Sequence, residues 1–500
     1  MMQNTTAQKE CLRARGICVI IPVYNNAGTI RRVIEETLVQ CSDVIVVNDG
    51  STDGTAQILR QMEGICLVEY GRNRGKGHAL KVGFRKALDM GFSFAITLDA
   101  DAQHFPSDIP RFLEANRKHP SALIVGERSL EGVKRSKGSS FANKFSNFWF
   151  CLQTGKRLRD TQTGFRLYPL RRIPWLSFLT SQYEAELELL VFSSWHGIEI
   201  HAVPIKVYYP PTEERVSHFR PFRDFMRISL LNVVLCFLAV VYGLPLRICR
   251  GALRLLRTGL SLLFFLFFMC MVITPFVWIY VKTARASERR TYNVHRVIYY
   301  VSRFIMFCTG IPGTDFMYKV SPKVDFSRPC VIVCNHQSHL DLICQLVFTP
   351  RIVFLTNDWV WKNPFYGFLI RSAEYLPVRD GIERLMPQLS ELVKRGYSIA
   401  VYPEGTRSET CEIGRFHKGA FYIAQELGID ILPMVVYGTG RVLPKKAHLL
   451  NKGVLYTEVA APLPYDELLR MGNNGKQASA LRKWYINRYE EISNRIERYA

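Results

Sequence analysis

The chain has 500 residues, with 65 lysines and arginines against 43 aspartates and glutamates, and a formal charge of +22. That length allows two or three domains with cores of their own, and that charge calls for an anionic partner. No zinc-finger spacing, RNA-recognition signature or heptad run accompanies it, which argues against nucleic acid and leaves phosphorylated substrates and acidic lipid. Thirteen cysteines form no C-x-x-C pair. Cys18, Cys236, Cys270, Cys330 and Cys334 lie in apolar runs, as small core residues of a reducing compartment do. Residues 1–15 are polar and basic, expected as a tail rather than a signal peptide.

In chain order, residues 17–22 read as a strand, 29–40 as a helix, 43–48 as a strand and 54–62 as a helix. Residues 65–70 and 93–98 are strands flanking a helix over 77–90. Such alternation predicts an α/β domain with a parallel sheet covered on both faces. Ligands of these sheets bind at the carboxyl ends of the strands. Here the ends carry Pro22, Tyr24, Asn25 and Asn26, then Asn48 to Gly54, then Asp99, Asp101, Gln103 and His104. Asp99 and Asp101, two apart after a buried strand, repel unless a cation lies between them. Carboxylates with phosphate oxygens are a ligand set for Mg²⁺ or Mn²⁺, which would stabilise a departing diphosphate. A lone D-x-D is more often a solvated turn; the three converging loops decide for the site. The glycine-rich stretch 71–77 is not a P-loop, because its spacing is short and no Ser or Thr follows Lys76.

The motifs P-V-Y-N (22–25), N-D-G-S-T-D-G-T (48–55), N-R-G-K-G (73–77) and D-A-D-A-Q-H-F-P (99–106) resemble family 2 glycosyltransferases of the GT-A fold. The dolichyl- or polyprenyl-phosphate mannosyl/glucosyltransferase branch is the nearest pattern, and the likeness spans 16–225. Arg128, the stretch 160–166 and a last core strand at 203–205 continue it. The resemblance implies that Pro22, Tyr24, Val47 and Asp49 hold the nucleoside. It implies Asp99, Ala100, Asp101 and Gln103 on metal and diphosphate, with Asp99 and Asp101 as metal ligands and Asp101 counted as catalytic. Arg128 and Arg135 would meet phosphate oxygens. Asn26 and Asn48 stand where the family usually has acids, which leaves base and sugar open. The acidic helix around Glu184 and Glu186 either faces the acceptor or faces solvent. The Arg/Phe stretch 217–223 is either a lipid-phosphate clamp or an amphipathic anchor.

Two charge-free runs follow, 228–246 (19 residues) and 259–281 (23 residues), separated by a loop over 247–257 with Arg247, Arg250, Arg254 and Arg257. Either run could cross a hydrocarbon core. An out-and-back hairpin would put four arginines outside, against the positive-inside tendency. Helices embedded in or lying on the inner leaflet are therefore favoured, with the arginines against anionic headgroups.

Beyond the apolar middle, residues 329–334 read as a strand followed at once by Asn335, His336, Ser338 and Asp341. A His ending a loop and an Asp opening a helix can meet, and the carboxylate then orients an imidazole for deprotonating a hydroxyl. Strand 398–401 leads into Tyr402-Pro403-Glu404-Gly405-Thr406-Arg407-Ser408, and strand 431–436 carries Pro433. N-H-x-S-x-x-D, Y-P-E-G-T-R-S and I-L-P-M, in this order, are similar to the glycerolphosphate acyltransferase family, which includes lysophosphatidic acid and lipid A acyltransferases. The likeness covers roughly 320–465. It implies His336 as general base, Asp341 as its orienting partner, and Arg379, Glu404, Gly405 and Arg407 in acceptor binding. His339 is a second histidine without the family's spacing to Asp341. Thr356-Asn357 stands where the family usually has a Lys, with Lys362 nearby, leaving the acceptor open between a glycerol phosphate and a sugar or phenol hydroxyl. Residues 416–419 are expected to line this cleft. A basic amphipathic helix over 477–499 is expected to pack or to touch membrane.

The expected organisation is an N-terminal tail (1–15), a GT-A domain (16–225), membrane-associated helices with a basic linker (226–290), an α/β acyltransferase domain (291–470) and a C-terminal helix (471–500). The expected function is a bifunctional glycolipid enzyme of the bacterial inner membrane, with both halves on the cytoplasmic side. Its substrates would be a nucleotide sugar, a membrane-lipid or polyprenyl-phosphate acceptor, and acyl-CoA or acyl carrier protein. Two alternatives stand: one half is active and the other docks lipid, or the chain is a glycolipid-binding scaffold without turnover.

Overall fold

The computed structural model describes residues 2–128, 137–174, 180–208, 221–309, 313–363, 367–378 and 381–497. The chain divides into two compact units, 1–250 with 494–500, and 251–493.

In the first unit a helix, α1 (Met2–Ala14), precedes β1 (Ile17–Val23). There follow α2 (Ile30–Gln40), β2 (Val44–Asp49), α3 (Thr55–Arg60), β3 (Ile65–Tyr70), α4 (Lys76–Asp89) and β4 (Phe94–Thr97). Then come α5 (Ile109–Lys118), β5 (Leu123–Arg128), α6 (Lys137–Thr154), β6 (Arg166–Pro169), α7 (Ala185–Trp195) and β7 (Ile200–Ile205). The sheet order is β3-β2-β1-β4-β6-β5-β7. All seven residues of β1 are buried, because its two faces meet two separate cores. Cys18 and Ile20 pack with Ala79, Leu80 and Phe84 of α4, while Ile17, Val19 and Ile21 pack with α2 and α5. This is the continuous apolar run of a strand covered on both sides. The sheet is not wholly parallel: β6 runs antiparallel between β4 and β5. Strictly alternating elements did not foretell it, since this four-residue strand follows a long return from α6.

The second unit has β8 (Thr314–Val320), β9 (Val331–Cys334), β10 (Ile352–Thr356), β11 (Leu376–Pro377), β12 (Ser398–Val401), β13 (Ile431–Tyr437) and β14 (Gly453–Val459). The order is β11-β10-β12-β9-β13-β14-β8, parallel except for β13 against β14. The chain is thus α/β in both halves. The helix Asn474–Glu497 buries Leu481 and Tyr485, and the Tyr485 hydroxyl donates to the Val333 carbonyl (2.6 Å) and accepts from Met434 N (3.1 Å). Its role there is packing.

Residues 225–283 are one helical run of 59 residues, long and apolar enough to cross a membrane and with only 12% of its most apolar window buried. The expected arginine loop is corrected: 247–257 lies inside α-helix Leu244–Leu266. Arginine is a good helix former, and no proline follows Pro245 until Pro275. The charge therefore marks no break. Arg247 donates to the Thr154 carbonyl (2.9 Å) in the first unit, and Arg254 and Arg257 donate to the carbonyls of Leu449 and Leu450 in the second. The π-helical turns Ala239–Gly243 and Phe267–Ile273 come just before Pro245 and Pro275. A widened turn accommodates a residue that has no N–H to donate.

Two candidate active sites

In the first unit β1, β2 and β4 are neighbours, so their carboxyl ends lie side by side, with Pro22 in register with Val47. Side chains lace the loops together. Asn25 N donates to Ser51 Oγ (3.0 Å), Thr52 N donates to Asn25 Oδ1 (2.8 Å), and Thr29 Oγ1 donates to the Ala100 carbonyl (2.7 Å). Tyr24 is half-buried at this edge. Both Asp49 oxygens accept backbone amides, from Arg74 (2.7 Å) and Gly75 (2.8 Å). The glycine-rich turn is thereby folded onto β2. Gly50 is required there: its φ is +66°, and a Cβ would lie 2.5 Å from the Arg72 carbonyl carbon.

That turn delivers Lys76, the first residue of α4, to the D-x-D loop. Its ammonium lies 2.6 Å from Asp99 Oδ1 and 3.0 Å from Glu186 Oε2. Glycine at 164 allows the approach, since a Cβ there would sit 2.4 Å from Asp99 Oδ2. Burial opposes charge on Asp99, but Lys76 and then the surrounding cations hold its carboxyl below the ordinary range. Asp101 behaves oppositely. Burial and then the charge on Asp99 push its carboxyl up to about 6, and its Oδ1 accepts only the Gln103 amide (3.0 Å). Burial drives His104 down to about 4, so its imidazole is neutral. Arg166, fully buried, donates to the carbonyls of Thr161, Thr163 and Glu186 and so anchors the wall behind the cluster.

Asp99, Asp101 and Glu186 thus share one ammonium, which contacts Asp99 and Glu186 directly and acts on Asp101 only through space. An all-oxygen set with uncompensated negative charge fits a hard divalent ion such as Mg²⁺ or Mn²⁺. Of the two acidic candidates on α7, Glu186 reaches this cluster. Arg128 is held by Asp160: its Nε and Nη2 donate to the two carboxylate oxygens (2.5 and 2.8 Å). Burial opposes the Asp160 charge, yet the Arg128 contact pulls its carboxyl below the usual range. Arg135 and most of the 217–223 clamp lie outside the described residues. Sequence reasoning missed Lys76 as a partner of Asp99, although it lies inside a motif singled out for another reason.

In the second unit β9 pairs with β12 on one side and β13 on the other. The loops after β9 and β12 therefore emerge together, bringing His336 to Tyr402 and Glu404. His336 Nδ1 lies 2.8 Å from Asp341 Oδ2. An ionised carboxylate can only accept, so Nδ1 carries the proton and Nε2 presents a lone pair. The same oxygen accepts Gln337 N (2.7 Å) and Ser338 N (2.9 Å), which fixes a fully buried Asp341 at the start of the helix Leu340–Leu346. The Tyr402 ring stacks on the imidazole at 4.0 Å and 17°, and its hydroxyl accepts from Gln345 Nε2 (2.7 Å). Asn335 pairs with both backbone groups of Val436 on β13.

Glu404 accepts the amides of His336 (2.9 Å) and Gly414 (2.8 Å), one on each oxygen, and burial raises its pKa. It ties the two motif loops together. Gly405 adopts φ +67°, next to the His417 ring. Arg407 is half-buried and close enough to lower the His339 pKa, after burial, the larger cause. His339 lies edge-on to Trp359 and does not join Asp341. Lys362 pairs with Asp358 (3.8 Å). Arg379 lies outside the described residues.

Two α/β units, one ending its strands on paired carboxylates and the other on a His–Asp dyad, make this a two-site chain of the transferase kind. Residues 18–168 match the glycosyl transferase family 2, and residues 316–437 match the family described as acyltransferase. The chain therefore carries a family 2 glycosyl transferase domain followed by an acyltransferase domain, both from enzyme families. It is 28% identical over 244 residues to a UDP-N-acetylglucosamine–dolichyl-phosphate N-acetylglucosaminyltransferase of Methanococcus voltae, covering 43% of this chain and 96% of the relative. It is 31% identical over 172 residues to the chloroplastic 1-acyl-sn-glycerol-3-phosphate acyltransferase BAT2 of Brassica napus, covering 33% of this chain. That match spans about half of the plant enzyme (47%). A crystal structure of the 1-acyl-sn-glycerophosphate acyltransferase of Thermotoga maritima aligns with a TM-score of 0.40 and 23% identity, over 49% of this chain and 98% of that one.

Proposed function

We propose that the chain is a bifunctional membrane enzyme of glycolipid synthesis. The first unit moves a sugar from a nucleotide sugar to a lipid phosphate, and the second moves an acyl chain from acyl-CoA or acyl carrier protein to a lipid hydroxyl. The observation that carries this reading is the coexistence of two complete constellations, Asp99–Asp101 with Lys76 and His336–Asp341 with Tyr402. Relatives of the two halves are named for dolichyl phosphate and acylglycerol phosphate.

In the first site Asp99 and Asp101 would hold Mg²⁺ or Mn²⁺, which when bound stabilises the charge of the leaving diphosphate. Pro22, Tyr24, Val47 and Asp49 would hold the nucleoside, and Ala100, Gln103, Arg128 and Arg135 would serve the diphosphate. Glu186 is engaged by Lys76, which makes it a poor base. A phosphate acceptor suits such a site, because it is already ionised and gives up no proton. In the second site His336 Nε2 takes the proton of the acceptor hydroxyl, whose oxygen attacks the thioester carbonyl, and the thiolate leaves. Asp341 and Tyr402 hold the ring. Arg379, Gly405 and Arg407 would serve acceptor binding, and Glu404 would do so through the loops it ties. The apolar run 225–283 anchors the chain at the cytoplasmic face of a bacterial inner membrane.

The test is a paired assay in native lipid with labelled nucleotide sugars and labelled acyl donor, on wild type, Asp101→Ala and His336→Ala. Each variant should lose only its own label, and a doubly labelled lipid should form only in wild type. Acylation of ordinary membrane lipid by Asp101→Ala, with no doubly labelled product from wild type, would mean two independent activities. No label in either arm sinks the enzyme reading in favour of a scaffold.

A further inference from the structure

A second cluster of ligand-type side chains lies in the first unit, at the amino end of β7. His119 directly follows α5, and Glu199 and His201 flank the first residue of β7. The two imidazoles stack at 3.6 Å with 15° between their planes. His201 Nε2 lies 3.2 Å from Glu199 Oε2, and one donor atom from each of the three residues lies within 4.8 Å of the others. From this geometry we infer a zinc-class transition-metal site formed by His119, Glu199 and His201, separate from the Asp99–Asp101 site.

The donors argue for the ion. Two imidazoles and one carboxylate are a borderline set that prefers Zn²⁺ to the oxygen-seeking Mg²⁺. Around a tetrahedral ion with bonds of about 2.0–2.2 Å, donor atoms lie roughly 3.3 Å apart. Side-chain rotation closes the present spacing, because Glu199 is 74% exposed and His201 34% exposed. Glu199 already pairs with His201. The neighbouring Lys156 does not block the site, because its ammonium donates to the Ile198 carbonyl (3.3 Å).

The site also lies at the end of β7 opposite the D-x-D loop. Near their active-site ends, β7 and α5 are joined by protein bonds: Lys206 N to Asp108 Oδ2 (2.6 Å) and Arg111 Nη1 to the Pro204 carbonyl (2.5 Å). Tyr208 N continues this to the Gln103 carbonyl of the D-x-D loop (2.8 Å). At the other end the stacked histidines bring α5 and β7 together. An ion there staples an edge strand to the helix behind it, holding both ends of the strand that braces the D-x-D loop.

The test uses the full chain in detergent, stripped with chelator and carrying Asp101→Ala to silence the first site. After Zn²⁺ loading and gel filtration it should retain one equivalent of zinc, lost when His201→Ala or Glu199→Gln is added. Co²⁺ in place of Zn²⁺ should give the visible band of a four-coordinate ion in the first protein and none in the others. Zn²⁺ should raise the melting midpoint of the first protein alone. Equal zinc in all three proteins, or zinc in none, overturns the inference. If His201→Ala fails to fold, the exposed Glu199→Gln variant decides, with at least a tenfold loss of affinity expected.

Discussion

Lys76 Nζ lies 2.6 Å from Asp99 Oδ1, so the first carboxylate of the D-x-D loop is neutralised by the protein itself. Asp101, two residues on, is left to repel it. A cation entering this site meets one compensated and one uncompensated acid.

The first prediction follows. Lys76→Met removes the ammonium that bridges Asp99 and Glu186, and breaking such a buried pair costs about 3–5 kcal/mol. Sugar transfer should be lost. Because three acids then face one another, Mn²⁺ should raise the melting midpoint of this variant more than that of wild type. An equal or smaller shift in differential scanning fluorimetry would refute the compensating role.

Asp341→Asn should lower acyl transfer by about 10²–10⁴-fold while sugar transfer is unchanged, because the imidazole loses its tautomer-fixing partner. Tyr402 separates stacking from hydrogen bonding. Tyr402→Phe keeps the ring on His336 and removes one acceptor of the Gln345 amide, which still donates to the Asp341 carbonyl (3.4 Å), a cost of about 1 kcal/mol in stability. Tyr402→Leu removes the stack as well and should lower kcat further than Tyr402→Phe at similar stability. Equal kcat values would show that the stack does not position the base.

His295 makes the second unit acid-sensitive. It is buried between the rings of Tyr375 and Tyr397, and burial lowers its pKa to about 3. An unfolded imidazole titrates near 6.5. Between these values the unfolded state binds the extra proton, so stability present at neutral pH is lost as pH falls from about 6.5 toward 3. The slope reaches roughly 1.4 kcal/mol per pH unit. His295→Phe should flatten this part of the profile in urea melts at stepped pH, and an unchanged slope would assign the sensitivity elsewhere.

Leu263 and Met271 are 66% and 68% exposed on the apolar run. Wild type should stay bound to anionic vesicles in about 1 M salt, where charge attraction is screened within about 3 Å. Leu263→Glu with Met271→Glu should reduce that salt-resistant fraction in flotation assays. Wild type released by salt would make the arginines, and not the apolar face, the anchor.

Much of this architecture is legible because apolar strands end abruptly on polar motifs. β4 and β9 are wholly buried runs followed closely by the residues that carry the chemistry, so Asp99, Asp101, His336 and Asp341 could be picked from pattern alone. What stayed hidden depends on distance along the chain. Lys76 and Glu186 are 110 residues apart, and Arg128 and Asp160 are 32 apart. No local spacing announces either pair. β6 escaped because it is four residues long and opens with a buried arginine. The basic stretch escaped because arginine favours helix as readily as leucine does.

The two π turns matter for how the long helix is probed. Each widened turn inserts a residue into the i, i+4 ladder and so shifts the angular phase of everything after it by about 100°. A helical wheel drawn straight through 225–283 therefore assigns the wrong azimuth beyond Ala239–Gly243, and again beyond Phe267–Ile273. Spin labels or cysteines stepped along this helix should show three accessibility waves of ordinary period, offset from one another at these two stretches. Positions on one face of the helix have to be numbered separately within each wave.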